Sequence, residues 1–180
     1  DDFSFGIRRV MLGMAKKVLL VDLFLAQMLI SGDFAHYDLI GASPEGYSKG
    51  FLLLYLFGLS IYAYLDFSAY SDIAIGSSRL FGYRIVENFN WPILQTNLGD
   101  FWRSWHASLT AWSRSEVHFP ILMLTRSTPL ATVSAFVVMG MWHVVNANWM
   151  AWAFHHALGL IALGQLHKLK RRTNGSRSEE

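Results

Sequence analysis

The chain has 180 residues, of which 53% are hydrophobic and 16% are charged, whereas soluble domains carry roughly 25% charged residues. With a mean hydropathy of +0.29, this composition disfavours an ordinary soluble domain. The absence of cysteine excludes disulfide scaffolds, thiolate zinc sites, iron–sulfur clusters and cysteine nucleophiles. The net charge is only +2, which is too small for the broad basic surface that nucleic-acid binding requires.

Four hydrophobic stretches follow one another along the chain, at residues 11–30, 50–65, 128–145 and 148–166. The last two share a run of 41 residues without Asp, Glu, Lys or Arg. A bilayer crossing needs about 20 apolar residues, so this run has room for two crossings. A short turn at residues 146–148 would join them into a helical hairpin.

The basic residues predict the orientation of these stretches in the membrane. Clusters at residues 8–17 and 168–172 are expected on the cytoplasmic side. The loop at residues 33–45 carries three acids and no Lys or Arg, which suits the opposite face. Four crossings with both termini in the cytoplasm satisfy all three segments. Residues 79–126 mix arginine with Trp, Phe and Pro and are predicted to form interfacial or re-entrant helices.

This organisation predicts an all-α, polytopic integral membrane protein with re-entrant or interfacial helices around a buried histidine site. The membrane-embedded core would cover residues 1–172, and the polar residues 173–180 are predicted to be a disordered tail. The chain begins Asp-Asp-Phe-Ser, without an initiator methionine or a signal peptide. We therefore expect a C-terminal piece of a longer membrane protein.

His143 is the first candidate for chemistry, because it ends the hydrophobic segment Met-Gly-Met-Trp-His. An ionisable group at membrane depth is costly unless it faces a cavity or a partner, which makes it a functional candidate. The alternative is an interfacial histidine beside Trp142.

His106 is the second candidate, within a segment from Asp100 to residue 112 that is predicted to be one helix. Spacings of three and four residues form an aromatic stripe, with Arg103 pointing elsewhere. The stripe comprises Trp102, Trp105, His106, Leu109 and Trp112. Periodicity alone favours a Trp-rich interfacial helix over a catalytic site.

Metal and soluble-enzyme motifs are weak or missing in this sequence. His155 and His156 are adjacent, so they diverge by about 100° on a helix and cannot chelate one ion as histidines four residues apart do. The chain has no Gly-x-Ser-x-Gly elbow, no Walker loop and no dinucleotide fingerprint. We predict no metal and no tightly bound cofactor.

Several segments, in this order, resemble the membrane-bound O-acyltransferase family. Its bacterial branch, which O-acetylates alginate and other exopolysaccharides, has a Lys-Lys-x-x-x-x-Asp segment similar to the one ending at Asp22. Further similar segments are Tyr-Leu-Asp-Phe-Ser-Ala-Tyr-Ser-Asp-Ile-Ala-Ile-Gly at 64–76, Glu-Asn-Phe-Asn-Trp-Pro at 87–92, Asp-Phe-Trp-Arg-Ser-Trp-His-Ala-Ser-Leu at 100–109 and Gly-Met-Trp-His at 140–143.

The resemblance implies roles for individual residues. The paired histidines of the family match His106 and His143, with His143 at the position usually assigned to catalysis. His143 would be the general base, and His106, Trp142 or Asn90 would donate to the developing oxyanion. Asp100, Arg103 and Trp105 complete the substrate-binding candidates. The chain departs from the family after Arg114, which Ser115 and Glu116 follow, and after His143, where Val144 replaces glycine.

The resemblance also implies a setting in the bacterial inner membrane. Acetyl-CoA or another cytoplasmic acyl thioester would be the donor, and an extracytoplasmic polysaccharide or a periplasmic acyltransferase partner would be the acceptor. One alternative is D-alanyl transfer to teichoic acid within the same family. Another is a non-catalytic transport or assembly subunit, although transporters are typically built from repeats and this chain shows none.

Overall fold

A computed structural model describes residues 2–31 and 44–176. The chain divides into two compact units, Asp1–Glu87 and Asn88–Glu180. All regular elements of the described residues are helical, which confirms the all-α prediction. Residues 33–43 of the predicted loop and residues 177–180 of the predicted tail lie outside the described residues.

Two long helical segments form the first unit. Helix α1 (Asp2–Ala15) continues as a π-helix over Lys16–Ser31, and after a 3₁₀ turn at Pro44–Gly46 the chain enters helix α2 (Lys49–Leu80). The Ser48 hydroxyl caps α2 by accepting from the Phe51 N–H at 3.2 Å. Helix α2 has 32 residues, so it continues about 15 residues beyond the predicted stretch 50–65.

Glycines let α1 and α2 pack backbone against backbone. A Cβ atom on Gly76 would lie 2.7 Å from both the Gly6 carbonyl oxygen and the Val10 nitrogen, and one on Gly13 would lie 2.8 Å from the Ala69 carbonyl oxygen. These distances are too short for real Cβ contacts. The absence of side chains at these positions therefore sets how closely the two helices approach.

Ion pairs join the same two segments. Asp72 accepts from Arg9 at 2.7 Å and from Lys16 at 2.6 Å, and its side chain is 13% exposed. Lys17 lies 2.7 Å from Asp66. These charges of the two helical segments thus neutralise one another, which reduces the cost of placing them away from water.

The second unit consists of shorter helices followed by a long hairpin. Its elements after a 3₁₀ turn at Pro92–Leu94 are α3 (Leu98–Ser104), α4 (Ala107–Ser113), a π-helical turn (Arg114–His118), α5 (Phe119–Thr125), α6 (Thr128–His143) and α7 (Ala147–Ser176). The core of this unit lies where α3 packs on the hairpin, around Trp102, Phe136, Met139, Ala153 and Ala157.

Helices α6 and α7 form the predicted helical hairpin. The loop occupies residues 144–146, and the Asn146 side chain caps α7 by accepting from the Trp149 N–H at 2.9 Å. A Cβ on Gly140 would lie 2.9 Å from the Trp149 carbonyl oxygen, so the two helices approach closely near the loop. Helix α7 continues to Ser176, and residues 173–176 of the predicted tail are therefore helical.

Only α2 among the described residues is long and apolar enough to cross a membrane by length and composition. Helix α6 has 16 residues, fewer than the ~20 that a bilayer crossing needs. The four crossings predicted from the sequence therefore stay a prediction.

Candidate active site

The backbone changes direction at His106, so the predicted single helix from residue 100 to 112 is wrong. Helix α3 ends at Ser104, Trp105 is extended, and His106 has left-handed angles of φ 44° and ψ 54°. Left-handed backbone is uncommon for residues other than glycine, and strained residues of this kind cluster at functional sites. Trp102 and His106 therefore do not lie on one continuous helical stripe.

A second segment of the chain stabilises this break. The Asn90 N–H donates to the Ser104 carbonyl and the Ala107 N–H donates to the Asn88 carbonyl, both at 3.0 Å. Phe89 and Trp105 form an isolated antiparallel bridge. These contacts replace backbone hydrogen bonds that a continuous helix would have made within itself.

The Asn88 side chain holds the His106 imidazole. Its Oδ1 atom lies 3.4 Å from His106 Nδ1 and accepts from the Ser108 hydroxyl at 2.6 Å and the Ser108 N–H at 3.1 Å. Because Oδ1 can only accept, the Nδ1 contact requires an N–H on that nitrogen. In the neutral imidazole, Nε2 then carries the lone pair, which suits a hydrogen-bond or proton acceptor.

The protonation of His106 follows from its surroundings. Partial burial, and secondarily the charge of nearby His143, lower the pKa of His106 below the ordinary histidine value. The lowered pKa favours the neutral ring at pH 7, and the Asn88 contact favours the tautomer with the proton on Nδ1.

His143, in the last turn of α6, contacts tryptophan rings of both helices of the hairpin. Its ring stacks on Trp149 of α7 with the centroids 4.0 Å apart, and it meets Trp142 edge-on at 4.7 Å. The Trp142 ring is also 6.3 Å from the His106 ring. The structure thus brings together His106, Trp142 and His143, from segments that are far apart in sequence.

The predicted burial of this site is not confirmed. His143 and Trp142 are exposed in the described structure, and His106 is half-buried. The reason is geometric, because His143 ends α6 at the start of the hairpin loop, where its ring contacts the neighbouring Trp142 and Trp149 of α7 and its side chain stays exposed.

The remaining candidates lie within α3, at its C-terminal end, or in the segment that precedes it. Asp100 accepts from the Asn97 side chain at 2.5 Å and pairs with Arg103. Trp105 stacks on Phe101 with the centroids 5.8 Å apart. Asn90 is exposed, and it bonds through its backbone to Ser104 and to the Gln95 side chain, so these contacts do not place its side-chain amide beside either histidine.

Among the residues that the structure describes, no cluster of three or more metal-ligating side chains occurs. His156 instead packs against the rings of Trp152 at 4.9 Å and Trp102 at 5.2 Å.

Asn88 and Ser108 are site residues that the sequence reasoning did not single out. Asn88 belongs to the segment Glu-Asn-Phe-Asn-Trp-Pro, from which only Asn90 was chosen as a candidate. The contact spans 18 residues, and no local periodicity reports a pairing at that separation. The left-handed His106 likewise has no Gly or Pro signal beside it.

The chain belongs to the MBOAT family, the membrane-bound O-acyltransferases, whose family model matches residues 2–178. This confirms the resemblance predicted from the motifs.

Individual relatives carry more specific names. The chain is 32% identical over 163 residues to the Pseudomonas aeruginosa protein named "Probable alginate O-acetylase AlgI", covering 89% of this chain and 29% of that protein. It is 33% identical over 116 residues to the teichoic acid D-alanyltransferase of Bacillus subtilis, covering 59% of this chain and 29% of that protein. It is 27% identical to the peptidoglycan O-acetyltransferase of Helicobacter pylori, covering 88% and 29%. The chain thus spans about 30% of the length of these curated relatives.

Proposed function

We propose that the protein containing this chain is an O-acetyltransferase of the bacterial inner membrane. It moves an acetyl group from a cytoplasmic acyl thioester, such as acetyl-CoA, toward hydroxyls of an extracytoplasmic polysaccharide. Family membership and the alginate O-acetylase relatives support this assignment. The observation that carries it is the group of His106, Trp142 and His143, in which the Trp142 ring lies near both the hydrogen-bonded imidazole of His106 and the ring of His143.

The chemistry follows from the two imidazoles and the indole. The acceptor hydroxyl oxygen attacks the thioester carbonyl carbon while His143 takes the hydroxyl proton. The C–S bond then breaks, and the thiolate leaves with that proton. We propose direct transfer without a covalent acyl-enzyme, because no activated cysteine or serine nucleophile is identified in this chain.

His106 and Trp142 have separate parts in this mechanism. Because the Nδ1–H of His106 is directed to Asn88, its neutral ring offers a lone pair and orients the acceptor sugar by accepting a hydrogen bond. The Trp142 indole N–H is then the candidate donor to the oxyanion. Of the three oxyanion donors predicted from the sequence, the proposed mechanism keeps Trp142 and leaves out His106 and Asn90.

The other candidates take supporting roles in substrate binding. Arg103 already pairs with Asp100, so an anionic substrate group that binds Arg103 must compete with this carboxylate. Trp105 and Asn90 lie beside the break between α3 and α4, where the bridge joins residue 89 to residue 105. A periplasmic acyltransferase partner that receives the acetyl group first is compatible with the same site.

D-Alanyl transfer to teichoic acid is the second candidate function. It is favoured by the 33% identity to the Bacillus subtilis enzyme of that name. Both reactions pass an acyl group from a thioester to a hydroxyl, so the two histidines would have the same roles.

A transfer assay with two donors tests the proposal. Membranes from cells that express the protein are incubated with radiolabelled acetyl-CoA or with a carrier-bound D-alanyl thioester, and label in the polymer or partner fraction is counted. We expect acetyl transfer, and a loss of ~10²–10⁴-fold in His143→Ala, because a general base contributes that much. The exposed His167 of α7 provides the matched control, and His167→Ala should retain transfer.

Wild-type turnover in a folded, membrane-inserted His143→Ala variant would refute the assigned base. Transfer of D-alanine in place of acetate would favour the second candidate. Label transfer from neither donor, with membrane insertion intact, would favour a transport or assembly subunit.

A further inference from the structure

Ring stacking, and not a hydrogen bond, holds the imidazole of His143. Its plane is inclined by only 11° to the Trp149 indole, with the centroids 4.0 Å apart. Within the described ranges the His143 imidazole makes no hydrogen bond, whereas the ring of His106 contacts Asn88. A general base works only when a ring nitrogen points at the proton that it takes. The orientation of His143 therefore depends on the rings that pack against it.

Trp149 is itself fixed through both its backbone and its ring. The Asn146 side chain accepts from the Trp149 N–H at 2.9 Å, and a Cβ on Gly140 would lie 2.9 Å from the Trp149 carbonyl oxygen. The indole meets Trp152 edge-on with the centroids 5.4 Å apart, and Trp152 packs against the buried core of the second unit. The stack thus connects an exposed imidazole to rigid, buried neighbours.

Stacking uses a face of the imidazole and leaves its edge for chemistry. Both ring nitrogens lie in the plane of the imidazole, so an indole stacked on the face does not cover them. When His143 takes a proton, the resulting cation lies over the Trp149 indole, within the ~6 Å at which an aromatic face attracts a positive charge. The same contact therefore orients the neutral ring and stabilises the charged one.

The elements packed around His143 supply no negative charge that would do this instead. Residues 128–142 of α6 and 147–154 of α7 contain no ionisable side chain. His106 is the ionisable neighbour whose pKa responds to the charge of His143, and a positive charge on it would oppose protonation of His143. Stabilisation of the positive ring therefore comes from aromatic side chains, and the stacked one is Trp149.

We propose that Trp149 is a positioning residue for acyl transfer, which holds the His143 ring in the orientation that accepts the hydroxyl proton and stabilises the imidazolium until the proton leaves with the thiolate. This inference rests on the proposed function, because it takes His143 as the base. Trp149 acts through His143, so its loss should lower kcat and leave KM nearly unchanged.

Kinetics of variants at position 149, measured with the protein in membranes, test this role. In Trp149→Leu we expect kcat to fall about tenfold. The acid limb of the pH profile should move to lower pH by about half a unit, because the imidazolium loses its aromatic face. Trp149→Phe restores such a face and should recover most of the rate and the wild-type profile. The matched control Trp112→Leu removes an exposed tryptophan of α4 and should behave as the wild type does.

Nuclear magnetic resonance of histidine-labelled protein follows the stack without the reaction. The His143 signal is identified by its loss in His143→Gln. Stacking on the indole should shift its ring proton upfield of that of the exposed His167, and Trp149→Leu should abolish the difference. A His143 signal at the position of the His167 signal would overturn the proposal, and this measurement needs only the wild-type fold.

The outcomes separate this inference from the proposed function. If the wild type transfers the acyl group and His143→Ala does not, then a wild-type kcat and pH profile in Trp149→Leu overturn the positioning role alone. An equal loss of rate in Trp112→Leu, or a smaller folded fraction with an unchanged profile, does the same, because the effect would then be structural. Absence of transfer in the wild type overturns the proposed function and this inference with it.

Discussion

At the scale of the residue, the side-chain amide of Asn88 contacts both His106 and Ser108 of the candidate active site. Asn88 Oδ1 accepts from both donors of Ser108 and lies 3.4 Å from His106 Nδ1. It therefore caps α4 and fixes the tautomer of His106 at once. In the proposed mechanism Asn88 is a positioning residue, because it would act on the reaction through His106.

The first prediction concerns the charge at position 88. In Asn88→Asp a carboxylate faces the imidazole, and an opposite charge within ~4–6 Å favours the protonated ring. The pKa of His106 should rise, so the acid side of the pH profile of transfer should move to higher pH. In Asn88→Ala we expect transfer to fall about tenfold with protein levels maintained, because the ring loses its orientation.

Asn90 provides the control for these variants. It lies two residues further along the same segment and is exposed, so Asn90→Ala should keep the wild-type pH profile. An unchanged profile in Asn88→Asp would show that Asn88 has a structural role alone.

The second prediction is the pH dependence of stability that His106 contributes. Its pKa is lower in the folded protein than the ordinary value of 6.5 that applies to the unfolded chain. The unfolded state therefore binds the proton first as the pH falls. The stability that His106 contributes is complete above pH 6.5, and it is lost as the pH falls through the pKa of His106 in the folded protein.

Thermal unfolding in detergent at pH 7.5 and pH 5 measures this effect. We expect the melting temperature to fall on acidification, and to fall less in His106→Gln, since that side chain does not titrate. An equal fall in both proteins would contradict the prediction.

Close helix approach is the main feature at the scale of the element. Helices α1 and α2 approach where Gly6 and Gly76 face one another, and a Cβ on Gly76 would lie 2.7 Å from the Gly6 carbonyl oxygen. The collision is with backbone, which a side-chain rotation cannot relieve. The two segments that carry the Arg9, Lys16 and Asp72 ion pairs depend on this contact for their alignment.

The third prediction compares two glycines of α2. Gly76→Ala should lower the free energy of unfolding by about 1–3 kcal/mol, as overpacking does. Gly50→Ala should leave it within ~0.5 kcal/mol, because no atom lies within 4 Å of the added Cβ. Thermal or denaturant unfolding of both variants in the same detergent provides the measurement. Similar stabilities would show that the helices separate at little cost.

Membrane topology is the open question at the scale of the whole molecule. The described residues contain one helix that satisfies length and composition for a span, whereas the charge pattern predicts four crossings. The four-crossing prediction assigns its other crossings to the continuous helix from Asp2 through Ser31 and to the α6–α7 hairpin, although α6 has only 16 residues.

The fourth prediction uses the absence of native cysteine. Single cysteines at Ser43, which lies outside the described residues, and at Ser176, the last residue of α7, are labelled in intact cells with a membrane-impermeant maleimide. The four-crossing topology predicts labelling of Ser43→Cys from outside and of Ser176→Cys only after the membrane is opened. Labelling of both from the same side would exclude this topology.

The sequence by itself determined the class of fold, the hairpin and the family. The length of an uncharged hydrophobic run is set by neighbouring residues alone. Residues 128–166 therefore predicted a helical hairpin, which the structure contains as α6 and α7. The motifs ending at His106 and His143 identified the family for the same reason, because each is a short run of adjacent residues.

Only the tertiary structure decided the conformation of His106 and its partners. Periodicity predicted a continuous helix through residue 106, and nothing in the local sequence opposes one. A hydrogen bond accepted by the Asn88 carbonyl, one donated by the Asn90 N–H, and the contacts of the Asn88 carboxamide stabilise the left-handed break instead. These interactions join residues about 14 to 20 positions apart. They form only when the intervening chain has folded, which is why no pattern of neighbouring residues could reveal them.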